Sequence, residues 1–105
     1  MIINLFLKTK DGADAKAEYD SITKVCVVKK KSKVSSTIST APTFKSKNSI
    51  KKQRDEYVVD SIVFQDVEFK SSSTAANFVT GRSTDGMYAW KDKEGNILKD
   101  LLSES

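Results

Sequence analysis

The chain has 105 residues, 38% of them apolar and 30% charged, a composition that suits one small globular domain rather than a disordered chain. Its apolar opening run ends at Lys8, too short for a membrane span and without the flanks of a secretory signal, and a lone cysteine, Cys26, excludes an internal disulfide and points to a reducing cytoplasm. The net charge of +4 hides an asymmetry: residues 24–54 hold ten basic residues and no Asp or Glu, so the remainder carries eight basic and fourteen acidic residues.

Residues 2–9 (IINLFLKT) favour a first strand, followed by a turn at Asp11-Gly12. Residues 24–30 (KVCVVKK) read as a second strand in a central position, with Cys26 packed between valines rather than reactive. The Ser/Thr-rich stretch 31–42 reads as a loop with at most a short edge strand. A helix is expected over 44–58, capped by Thr43 or Ser46 and facing the core through Ile50, Tyr57 and Val58. Basic side chains crowd its first turns, where the helix dipole favours acids; a docked anion would remove that penalty.

Residues 61–70 (SIVFQDVEFK) alternate as a half-buried strand through Val67 and Phe69. Ser71 or Ser73 then caps a helix over 72–80, with Ala75, Ala76 and Val79 on one face, Phe78 beside them and Gly81 as its stop. Asp85-Gly86 is read as a turn, residues 87–91 (MYAWK) as a strand, residues 93–96 (KEGN) as a turn, and residues 97–102 as a short helix or strand–helix step. The expected fold is therefore α+β: one domain over 1–105, an antiparallel or mixed sheet of about four to five strands, and two or three short helices.

The residues Ser71, Ser73, Ala75, Ala76, Gly81, Gly86, Trp90, Lys91 and Gly95 resemble the signature of the family known as domain of unknown function 4357. The resemblance extends over about residues 10–102, through Gly12–Asp20, the valine strand ending near Ser32, and Arg54, Tyr57 and Val58. Four positions depart from it. Ser72 stands where proline is common, Asp85 where asparagine is usual, and Lys31 and Ser61 where the family has glycine, so at the last two the backbone is expected either to differ slightly or to carry some strain. The resemblance implies a domain often attached to the C-terminus of GIY-YIG-type nucleases and other bacterial DNA-handling proteins, with no assigned catalytic residues.

Three candidate sites follow from the residues. Trp90-Lys91 can stack on a base beside a phosphate, but paired alanines are what a buried indole needs opposite it, and the core reading is preferred. Asp66, Glu68 and Lys70 faintly echo a Mg²⁺-dependent nuclease pattern, a spacing that any alternating strand produces. With no histidine, phosphate loop or cysteine pair, catalysis is not expected, and no cofactor or metal is implied. The third candidate is the acid-free window: Lys29, Lys30, Lys31, Lys33, Lys45, Lys47, Lys51, Lys52 and Arg54 as contacts to DNA or RNA phosphates. Scarce arginine argues for backbone contact rather than base readout. That function requires both lysine clusters on one contiguous face. The alternative is a protein-interaction or structural module with an exposed apolar patch; a nuclease or other DNA-handling protein is a candidate partner, and a membrane is not.

Overall fold

The computed structural model describes residues 2–36, 38–39 and 47–103. The order is β1 (Ile2–Lys8), β2 (Asp14–Asp20), β3 (Cys26–Val28), α1 (Lys47–Tyr57), β4 (Val58–Val59), β5 (Ile62–Val63), β6 (Val67–Phe69), α2 (Ser72–Thr80), α3 (Gly86–Ala89) and α4 (Leu98–Ser103). Four strands form an antiparallel sheet in the order β1-β2-β3-β6, and β4 and β5 form a separate hairpin. This is the α+β architecture expected. Among the described residues no helix is long and apolar enough to cross a membrane.

Strand alternation places one set of side chains on the core side of the sheet. Two cross-strand rows define it: Leu5, Ala17, Val28 and Val67, and Ile3, Tyr19, Cys26 and Phe69. All but the half-buried Ile3 are buried. Helix α2 packs over β3 and β6, and its Phe78 ring meets Phe69 at 5.1 Å between centroids. Cys26 sits in this layer, and burial pushes its thiol up to about 12, so it is an inert packing group.

The residues of the family signature build α2 and what surrounds it. The Ser71 hydroxyl accepts from the Thr74 N–H at 3.1 Å and caps the helix. Ser73 is not the cap; its hydroxyl accepts from the Gly86 N–H at 2.9 Å. The Trp90 indole N–H donates to the Ser72 carbonyl at 3.0 Å, with the ring fully buried. Gly86 is required because a Cβ there would stand 2.3 Å from the Ser72 carbonyl carbon, so no side chain fits between α3 and the start of α2. Ala75 and Ala76 have no exposed surface, and Gly81 ends the helix at φ 73, its N–H on the Asn77 carbonyl. Lys91 exchanges two backbone hydrogen bonds with Phe6 on the outer edge of β1, and Gly95 turns the chain at φ 88.

Several expectations are corrected. Residues 87–91 do not form a strand: Gly86–Ala89 is one helical turn capped by the Asp85 carboxylate on the Met87 N–H, and only Trp90-Lys91 is extended. The apolar and aromatic residues of that stretch have strand propensity, but the contact with α2 overrides it. Among the described residues there are four helices: α4 falls where a short helix or strand–helix step was expected, and the one-turn α3 is the addition. The helix expected over 44–58 is described from Lys47 and stops at Tyr57, because Val58 pairs with Val63 in the hairpin; Thr43, Ser46 and the rest of its expected start lie outside the described residues. β2 was not expected as a strand, although Ala13, Ala15, Ala17 and Tyr19 alternate with Asp14, Lys16, Glu18 and Asp20.

Lys31 at φ 75 and Ser61 at φ 67 both occupy the left-handed region where glycine was expected. A non-glycine residue there costs about 1–2 kcal/mol, partly offset by the entropy a glycine would lose. Lys31→Gly and Ser61→Gly should each raise unfolding stability by about 0.5–1 kcal/mol, whereas Gly86→Ala should lower it by about 3 kcal/mol through overpacking. Urea unfolding of the three variants checks the opposite signs.

Candidate nucleic-acid interface

The acid-free window does not fold into an acid-free surface. Lys29 is tied by its ammonium to Glu18 at 3.1 Å and Asp66 at 2.9 Å. These two partners, Asp66 first, raise the Lys29 pKa. Asp66 also accepts from the Lys30 N–H at 2.8 Å, and that bond, with Lys29, holds its carboxyl below the ordinary value. The strand echo at Asp66, Glu68 and Lys70 therefore has its first carboxylate committed to the β3 turn, while Glu68 and Lys70 stand exposed. Among the described residues no three His, Cys, Asp or Glu side chains are grouped to hold a metal ion.

Lys30, Lys31 and Lys33 are exposed on the segment that follows β3. Lys33 is bridged on one side to Asp14 and on the other to Ile62, and the Lys31 N–H donates to the Val63 carbonyl at 2.7 Å. Cross-strand neighbours project to the same side of a sheet, which sets Lys8, Asp14, Lys33, Ile62 and Val59 in one outward row. Lys51 and Lys52 are exposed on α1, but they open onto different clefts: Lys51 beside Asn48, Asp55 and Asp60, Lys52 beside Glu56, Asp66 and Glu68. Each has a carboxylate one helical turn on, Asp55 and Glu56, which weakens the field it presents. Lys45 and the side chain of Lys47 lie outside the described residues.

Arg54 is turned inward. It is 9% exposed, and its guanidinium donates to the carbonyls of Phe78 (2.9 Å), Val79 (3.1 Å) and Ser35 (3.0 Å) and to the Ser35 hydroxyl (3.1 Å). Burial pushes its pKa down to about 10, which still leaves it charged at neutral pH. The Ser35 hydroxyl in turn donates to the Thr80 carbonyl at 2.7 Å. The charge thus sits at the carbonyl end of α2, where the helix dipole favours a cation, and joins α1 to α2. Arg54 is a structural cation rather than a phosphate contact.

A surface that the sequence did not suggest lies beside Lys33. The β4–β5 hairpin turns on Asp60 and Ser61, both at positive φ, as a two-residue hairpin turn requires. Its inner residue Val63 is buried, while Val59 is 62%, Ile62 39% and Phe64 51% exposed. The Phe64 N–H donates to the Tyr57 carbonyl at 3.0 Å, which extends the ladder beyond Val58 and Val63. The signal was a polar pair, Asp60-Ser61, between two apolar pairs; reading Val58 as a helical residue concealed it.

Removing Arg54 strands several buried carbonyls at once. Arg54→Ala should cost about 3–5 kcal/mol, and Arg54→Lys, which keeps the charge but loses the fork, at least half of that. Urea unfolding measures both; an exposed phosphate-binding arginine would show a change within about 0.5 kcal/mol.

No curated protein and no solved structure matches the chain. A family model described as "Domain of unknown function (DUF4357)" matches residues 5–102. With its signature residues accounted for around α2 and the match spanning nearly its whole length, this chain belongs to that family.

Proposed function

We propose that the chain is an accessory, non-catalytic module that binds single-stranded nucleic acid, with Lys30, Lys31 and Lys33 on phosphates and the hairpin face at Phe64 as a stacking surface. The observation that supports this reading is the register of Lys33 against Ile62, which sets an exposed ammonium group opposite the hairpin, two residues from the exposed Phe64. Single strands are held in this way, by cations that follow the backbone and rings that accept any base. None of the three lysines is in an ion pair among the described residues. Lys51 and Lys52 are secondary contributors because of their acidic neighbours, and Lys29 and Arg54 are engaged elsewhere. The implied association with a nuclease would place such a module beside DNA-cleaving machinery.

A second reading is favoured by the same hairpin. The exposed Val59, Ile62 and Phe64, with Asp14 and Lys33 in the adjoining row and Asp60 in the turn, make an apolar centre with a mixed-charge rim, the arrangement of a protein-docking surface.

Fluorescence anisotropy with single-stranded and duplex DNA and RNA, from low to physiological salt, separates the two. Nucleic-acid binding predicts single-strand preference and affinity falling with salt, at a log–log slope of about −0.7 for each phosphate contact. Lys30→Glu/Lys31→Glu/Lys33→Glu should weaken it by about tenfold or more, Phe64→Ala by about fivefold or more, and Lys51→Glu/Lys52→Glu by about threefold or less. Absence of binding at low salt would overturn the first reading and leave the hairpin to a protein partner.

A further inference from the structure

A second cationic surface lies outside the lysine window altogether. Between the end of β1 and the segments flanking α3 there is a cleft of about 450 Å³. Three cations from three separate parts of the chain line it: Lys8 from β1, Arg82 from the segment after α2, and Lys91 after α3. Thr9, Thr80, Ser83, Thr84 and Tyr88 also line it, with the Thr9 hydroxyl on Asp11 and the Tyr88 hydroxyl accepting from the Lys99 ammonium. Its one carboxylate, Asp85, already accepts from the Met87 N–H at 3.0 Å as the cap of α3.

The walls of this cleft are held in place by hydrogen bonds. Thr80 and Thr84 hydroxyls both donate to the Arg82 carbonyl, at 3.1 and 3.0 Å, and the Thr84 N–H donates to the Asn77 side chain at 2.8 Å. The Arg82 guanidinium is oriented by Asp11 at 3.1 Å through one of its nitrogens, and Asp11 is gripped in turn by the Thr9 hydroxyl. That hydroxyl, helped by Arg82, holds the Asp11 carboxyl below its ordinary value, so the pair persists at neutral pH. Lys91 is fixed at its backbone by the two bonds to Phe6, while Lys8 and Lys91 side chains are exposed and in no ion pair among the described residues. A guanidinium oriented by Asp11, two exposed ammonium groups and the nearby Ser83 hydroxyl match the several oxygens of a phosphate.

We propose that this cleft seats a phosphate group, with Arg82 as the oriented donor and Lys8 and Lys91 closing over the anion. The site is independent of the lysine loop and of the hairpin. It does lie on the same outward row, with Asp14 between Lys8 and Lys33, so the two cations stand about 10 Å apart across two strand steps. One strand of nucleic acid can therefore reach both, and so can a small phosphate monoester reach the cleft alone.

The test is a titration followed by ¹H–¹⁵N correlation spectra of the full chain. The probes are inorganic phosphate, a nucleoside 5′-monophosphate, and a single-stranded oligonucleotide with no terminal phosphate, each against chloride at equal ionic strength. A phosphate seat predicts saturable shifts at the amides of Ser83, Thr84 and Lys91. Arg82→Gln, and the double change Lys8→Gln/Lys91→Gln, should each weaken them by about fivefold or more, with the rest of the spectrum preserved. Lys30→Glu/Lys31→Glu/Lys33→Glu should leave the small-anion shifts unchanged, which keeps this result separate from the fate of the lysine loop. Saturation by monophosphate alone assigns the site to small phosphate esters, and saturation by the oligonucleotide assigns it to a polymer backbone. Shifts that never saturate, that chloride reproduces, or that survive in both variants overturn the proposal.

Discussion

Helix α2 has nine residues, and six of them are buried, so its end groups cannot all turn to water. The rest of the fold is arranged to meet that constraint. At the amino end Ser71 caps the helix, while Ser73 engages Gly86 of α3 and Ser72 engages Trp90 just after it. At the carbonyl end Gly81 turns the chain, Ser35 reaches Thr80, and Arg54 reaches Phe78 and Val79. The amino end is capped by its own neighbour Ser71, whereas the carbonyl end is satisfied by residues distant in sequence, and the contacts at the two ends tie α1, α3 and the segment after β3 to one buried element. Between them, Ala75 and Ala76 let the backbone of α2 approach the sheet, and Phe78 fills the layer over Phe69.

This arrangement gives the family signature a physical meaning. Its serines and alanines, Gly81, Gly86 and its tryptophan hold α2 in place, and Gly95 turns the chain after Lys91; only the side chain of Lys91 is left over for a surface role, in the cleft with Lys8 and Arg82. A signature of this kind identifies a scaffold. The surfaces with exposed cations and rings, around Lys33 and Phe64 and around Arg82, are carried mostly by residues outside it.

What could be read in the sequence depended on how local the cause was. The central position of residues 24–30, the span of α2, its glycine stop and the burial of Trp90 all follow from short-range pattern and side-chain volume. β2 escaped notice because alanine has weak strand propensity, even though its alternation was present. The one-turn α3 was concealed by the strand-favouring Tyr88 and Trp90, and its cause is a contact with Ser72 and Ser73 more than ten residues away. Charge was the least legible property. An acid-free stretch of sequence meets Asp14, Glu18 and Asp66 only after β2, β3 and β6 pair, and Arg54 can be told from a surface cation only when α1 lies against α2.

If α2 is held at both ends, it has no way to open that leaves the molecule folded. Native-state hydrogen exchange measures this directly, as the opening free energy of the amides from Ala76 to Thr80 in low urea. The account predicts that these amides exchange only by global unfolding, with the same free energy and urea dependence as the whole chain. Exchange through a smaller opening, with the β1–β2 amides still protected, would contradict it and show that the sheet stands without α2.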